Sequence, residues 1–218
     1  MQEKGKGTMK AVLAFGDSNT WGLIPGARPA QRYPWGVRWT SRLQEQCRGI
    51  RVIEEGLCGR TTVFEDAFRQ GRKGVASLPA ILETHRPLDA VIIMLGTNDC
   101  KTVYGVSAYA IGKGLELCLD EIGNAVPNER ILLVSPILLG SDVWKPDKDP
   151  EFGLESVEIC RALKGVYKGI AASRGTAFLA ASDYAAANHA DEEHMDEEGH
   201  RAFASAVYEK LKEMGVAG

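Results

Sequence analysis

The chain alternates short, unbroken apolar runs with longer stretches in which apolar residues recur every three or four positions. Residues 10–15, 90–95 and 131–134 are runs of the first kind, and 90–95 is the most apolar of them. Runs of this length bounded by turn formers or charges read as buried strands. Residues 51–54 and 177–179 are weaker examples. The intervening stretches read as helices. Residues 37–47 carry Trp39, Leu43 and Cys47 at i, i+4 spacing, and 153–173 place Val157, Cys160, Leu163 and Val166/Tyr167 on one face. Residues 107–122 predict another helix, weakened in its middle by Gly112 and Gly114. Residues 77–85 predict one capped by Ser77 and stopped before Pro87, and Asp196 caps a last helix that runs toward Met214.

Five strands alternating with helices imply an α/β domain with three layers, α/β/α, around a five-stranded, mainly parallel sheet. Neither an internal repeat nor an interdomain linker interrupts the pattern, so residues 9–218 are expected to form a single domain. The polar, Gly/Lys-rich residues 1–8 read as a flexible leader or an expression remnant, because Met9 could itself be a start. Two long irregular stretches, 23–36 and 136–152, are rich in Pro, Gly, Trp or Asp. Loops of that length in a compact domain are often functional, which makes them candidate pocket walls.

Composition narrows the classes. With 44% hydrophobic residues the chain supports a core, and a net charge of -3 without a basic stripe argues against nucleic acid or an anionic membrane as partner. No stretch reaches the roughly 18 apolar residues that cross a bilayer. The five cysteines, Cys47, Cys58, Cys100, Cys118 and Cys160, are scattered without CxxC spacing. They fit reduced cytoplasmic thiols that serve as small core residues better than structural zinc or a disulfide framework.

The candidate chemistry sits in loops that follow strands, where open α/β sheets bind ligands. Ser18 lies in Gly16-Asp17-Ser18-Asn19-Thr20, directly after the first strand. Gly59 follows the second strand and Gly96-Thr97-Asn98-Asp99 the third. Attack on an ester carbonyl creates an oxyanion that needs preorganised donors, and the Ser18 N–H, the Gly59 N–H and the Asn98 amide would supply three. Near the end of the chain, Asp191-Glu192-Glu193-His194 sets a carboxylate three residues before an imidazole. His194 would take the Ser18 proton, and Asp191 would hold the imidazole tautomer. Each element also has a plain reading. A lone serine after Gly-Asp is most often a cap, Asn98 and Asp99 are turn formers, with Asp99 a candidate cap of the next helix, and most carboxylates between 191 and 198 would be solvated first-turn charges. His189 and His200 compete as bases, with His200 inside the helix pattern and His194 on a loop before it.

Taken together, Gly16-Asp17-Ser18, Gly59, Gly96-Thr97-Asn98-Asp99 and Asp191-Glu192-Glu193-His194 resemble the four blocks of the SGNH (GDSL) hydrolase family, in order and across almost the whole chain. Residues 16–22, 38–40, 54–57, 60–62 and 93–99 are similar to its aryl-esterase/acyltransferase, perhydrolase-like branch. The resemblance implies a flavodoxin-like sheet, short-chain acyl ester substrates including aryl esters, and no metal or other cofactor. It also implies acyl transfer to alcohols or peroxide, and homo-oligomers that narrow the site entrance. Two positions depart from relatives: Leu23, where some carry a second tryptophan, and Glu193, which can be apolar. With Trp21, Cys58 and Trp144 they are the candidate substrate-binding residues.

Other readings compete. A metallohydrolase would use His189, Asp191 and His194 as ligands, without His-Glu-x-x-His spacing. A non-catalytic ester- or carbohydrate-binding module would share the fold. Within the enzyme class, a carbohydrate O-acetyl esterase, a thioesterase or a lysophospholipase would share the residues.

Overall fold

The computed structural model describes residues 9–218, so the expected leader lies outside the described residues. Five strands, β1 (Lys10–Gly16), β2 (Ile50–Gly56), β3 (Ala90–Met94), β4 (Ile131–Ser135) and β5 (Ala177–Ala180), pair in the order β2-β1-β3-β4-β5. Every pairing is parallel, so the sheet is wholly rather than mainly parallel. The chain winds outward from β1 in both directions, as right-handed crossovers through helices require.

Successive side chains of a strand face opposite sides of the sheet. On β1, Val12 and Ala14 point to one apolar layer, and Leu13 and Phe15 to the other. The first layer is closed by α2 (Trp39–Gln46) and α6 (Glu197–Glu213), which bring Trp39, Leu43, Phe203 and Val207. The second is closed by α3 (Gly74–Thr84), α4 (Ala108–Gly123) and α5 (Leu154–Arg174) through Leu78, Leu115, Leu119 and Leu163. Trp39 and Phe203 meet edge to face with centroids 5.1 Å apart, which locks α2 onto α6. Among the described residues, no helix is long and apolar enough to cross a membrane.

Sequence and structure part at one helix start. Ser77 is not the cap of α3; the helix begins three residues earlier, and the Ser77 hydroxyl donates to the Gly74 carbonyl from inside it. Tertiary pairing sets this start, because Gly74 and Val75 donate to the carbonyls of Thr61 and Thr62. By contrast, Ser107 accepts from Ala110 N–H at the start of α4, and Asp196 from Gly199 N–H at the start of α6.

Candidate active site

Register decides which loops meet. Gly16 is opposite Gly56 on β2 and Met94 on β3, so the loops leaving β1, β2 and β3 start side by side at the carboxyl edge. The first loop turns at once into the short helix α1 (Ser18–Trp21). Asp17 caps it, its Oδ1 accepting from Asn19 N–H at 3.0 Å. Helix α1 lies so close to β2 that a Cβ on Gly56 would come within 2.2 Å of Trp21 N. Only glycine fits that approach.

Arg60 ties the three loops together. Its guanidinium donates to the Gly16 carbonyl at 2.8 Å and also bonds the Glu55 carbonyl, while lying 4.1 Å above the Phe15 ring. Its own carbonyl accepts from Asn98 Nδ2 at 3.2 Å. That bond uses one of the two amide hydrogens of Asn98 and leaves the other for a ligand. Gly59, next to Arg60, has φ +83, a left-handed conformation that favours glycine. Among the described residues, neither the Ser18 nor the Gly59 N–H donates to another group. Asp99 does not cap the next helix. It is fully buried and accepts from the Thr62 N–H at 2.9 Å, fastening the third loop to the second. Burial raises its carboxyl to about 6 against the opposing bonds from Thr62, and raises Asp17 to about 6 in the same way.

The loop before α6 brings the remaining groups. His194 Nε2 is 2.8 Å from Ser18 Oγ, and His194 Nδ1 is 2.8 Å from Asp191 Oδ2. Asp191 also accepts from three main-chain N–H groups, those of Glu193, His194 and Gly26. Burial works to raise the Asp191 carboxyl, but the bond from His194 and these N–H groups prevail and hold it below its ordinary value. At His194, burial works to lower the imidazole, yet the carboxylates of Glu193 and Asp191 outweigh it and raise it to about 9.

Asn19, a residue to which the sequence reading gave no role, holds this loop. Its side chain donates to the Glu193 carbonyl at 3.3 Å and accepts from Met195 N–H at 3.0 Å. Contrary to the expectation of solvated charges, Glu192 and Glu193 are buried. Glu192 stands at φ +63, with its carbonyl bonded to Gly140 N–H, so the loop folds inward rather than into solvent.

The substrate-binding candidates divide. Leu23 and Glu193 line a cleft of about 340 Å³ beside His194, together with Gly26, Arg28, Asp149 and Ala190. Trp21, Cys58 and Trp144 are not among its walls. Trp21 lies under the Arg32 guanidinium, and the Trp144 indole donates to the Ser141 carbonyl. Burial pushes the Cys58 thiol up to about 11. His189 is not gathered with Asp191 and His194; its ring is exposed and bonds Glu192 at 2.9 Å. Among the described residues, no three His, Cys, Asp or Glu side chains are grouped to hold a metal ion. His200 is buried against Tyr33 and accepts from Trp39 N–H, and burial lowers its imidazole to about 4.

The GDSL-like lipase/acylhydrolase family model matches residues 14–202. Among solved structures, a carbohydrate acetylesterase from Sinorhizobium meliloti, Est24, is 34% identical with a TM-score of 0.85, over 94% of this chain and 99% of that one. The native aryl esterase of M. smegmatis is 32% identical at the same TM-score and the same coverage. A member of the lipolytic G-D-S-L family from Veillonella parvula shares the fold at 16% identity and a TM-score of 0.67, over 94% of this chain and 97% of that one. Curated protein sequences give no match. The family model covers most of the chain and the neighbours cover nearly all of it: the chain belongs to the GDSL-like lipase/acylhydrolase family and is a carboxylic ester hydrolase.

Proposed function

We propose that the chain is a serine esterase for short-chain, acetyl-type esters, aryl esters included, working through a Ser18-His194-Asp191 triad and an acyl-enzyme. One observation carries this reading: a single imidazole stands 2.8 Å from the Ser18 hydroxyl on one side and 2.8 Å from the Asp191 carboxylate on the other. In the forward step Ser18 Oγ attacks the carbonyl carbon and passes its proton to Nε2. Asp191 holds the Nδ1 proton and stabilises the imidazolium. The Ser18 and Gly59 N–H groups and the free hydrogen of the Asn98 amide receive the oxyanion. His194 then gives its proton to the leaving alcohol, and water or a second alcohol repeats the sequence on the acyl-enzyme.

Small acyl groups are favoured by the tight packing around Ser18, which is 3% exposed. The similarity to an aryl esterase supports phenyl esters as substrates. A carbohydrate O-acetyl esterase is the second reading, supported by the Est24 similarity and by the carboxylates and Arg28 lining the cleft. Acyl transfer to alcohols or peroxide, and homo-oligomers, follow from the resemblance alone. Five unpaired thiols support a reducing, cytoplasmic setting.

The test is hydrolysis of p-nitrophenyl acetate by Ser18→Ala and His194→Ala proteins with native circular dichroism. Each is expected to lower kcat by about 10⁴-fold, because triad members act as a unit. Near-normal turnover in folded Ser18→Ala protein refutes the assignment, and a serine-directed phosphonate is expected to add its mass at Ser18.

A further inference from the structure

Glu193 stands between the proposed acid and base in sequence, and its carboxyl, which raises His194, makes no hydrogen bond to a member of the proposed triad. The backbone is pinned: the N–H donates to Asp191 Oδ1 at 3.0 Å, and the carbonyl accepts from Asn19 Nδ2 at 3.3 Å. Its side chain is only 7% exposed, yet the hydrogen bonds of Glu193 with described residues all run through its main chain. Oε1 is 3.7 Å from His194 Nε2, the nitrogen that also faces Ser18 Oγ, and the residue lines the cleft. Among the described residues no hydrogen bond reaches this carboxyl, so a hydroxyl brought by a ligand would be its first hydrogen-bond partner beside the charge of His194.

Charges around it are mixed: Asp149 and Asp191 oppose ionisation, while His194 and Lys101 favour it, and burial dominates and raises the carboxyl to about 7. Either form suits a hydroxyl. The carboxylate accepts its hydrogen, and the protonated acid can donate as well.

We infer that Glu193 is a specificity-determining residue on the alcohol side of the site, and that it receives a hydroxyl on the carbon next to the esterified one. The inference rests on the proposed triad. His194 Nε2 must reach the ester oxygen in order to protonate it, and in a vicinal diol the second oxygen lies about one hydrogen-bond length further on. A monoalcohol or phenol leaves the carboxyl without that hydrogen bond, the kind of deficit by which polar pockets reject substrates. The same preference governs transfer. One hydroxyl of a diol attacks the acyl carbon and gives its proton to His194 Nε2. The new C–O bond forms as the bond to Ser18 Oγ breaks, and Oγ takes the proton from His194. The second hydroxyl stays on Glu193.

Competition for one acyl-enzyme tests this. With p-nitrophenyl acetate as donor, the acetyl-enzyme is the same whichever acceptor is present, so the yields of ethylene glycol monoacetate and ethyl acetate compare the two alcohols in deacylation alone. Wild-type protein is expected to prefer ethylene glycol by about tenfold, the worth of one hydrogen bond to a charged group. Glu193→Met and Glu193→Ala are expected to lose that preference, and Glu193→Gln to keep part of it. In a protein that transfers only to water, the kcat/KM ratio for hydrolysis of the same two acetates gives the answer. An equal ratio in wild-type, Glu193→Met and Glu193→Ala proteins overturns the inference. Undiminished hydrolysis of both acetates by folded Ser18→Ala protein is a different result, and it removes the triad itself.

Discussion

Asn19 accepts the Met195 N–H at 3.0 Å, and with its Nδ2 on the Glu193 carbonyl it grips the main chain on both sides of His194. The neighbour of the proposed nucleophile therefore sets the approach of the proposed base. Asn19→Ala is expected to lower kcat by about 10- to 100-fold with a much smaller change in KM, because a small misplacement of a reacting group is expensive. Asn19→Asp, which keeps the acceptor and loses the donor, should fall between. A rise in KM with unchanged kcat would assign Asn19 to binding instead.

Asn98 gives one amide hydrogen to the Arg60 carbonyl, and the other is the proposed third oxyanion donor. Asn98→Ala is expected to cost about 10²–10³ in kcat, the usual loss for one oxyanion donor. If Tm falls steeply while kcat at low temperature holds, the amide is a brace for Arg60 and nothing more.

The proposed base works only when neutral, so kcat/KM for an uncharged ester should rise with pH through the His194 transition. Burial alone would lower that transition from 6.5, but Glu193, Asp191 and Asp17 raise it to about 9. The acid limb is therefore expected well above the ordinary imidazole range. Glu193→Gln removes one of the charges that raise it, and the limb should move toward acid. A wild-type limb centred at or below 6.5 contradicts this balance.

Asp99 joins the third loop to Thr62 inside the core, and Asp99→Ala strands the buried Thr62 N–H. A loss of about 2 to 3 kcal/mol is expected in urea denaturation. The sign with pH follows from the raised carboxyl. The fold gains from the protonated form below 3.8 and gives that gain up as pH climbs through about 6. Asp99→Asn should therefore reduce the stability difference between about pH 5 and about pH 8.

The strands and the long helices were legible because their signal is local. Val91, Ile92 and Ile93 are apolar on both faces, since β3 is covered on both sides. The cap at Asp196 is likewise written into four consecutive residues. The start of α3 was not legible, because Thr61 and Thr62 decide it from another loop. Nor were the roles of Asn19 and Arg60, whose partners lie 176 and 44 residues away. The same holds for the buried Glu192 and Glu193. A run of acids before a helix looks like surface, and bonds to distant residues, Gly140 with Glu192 at φ +63 and Asn19 with Glu193, turn the run inward. Ser18, Asp191 and His194 could be picked out as candidates, but that they meet depends on the sheet order.

That order has a consequence for synthesis on the ribosome. The Ser18 hydroxyl is made early, and its partner imidazole emerges 176 residues later. A nascent chain with β1 to β4 already paired would hold the proposed nucleophile without its proposed base until the closing segment docks.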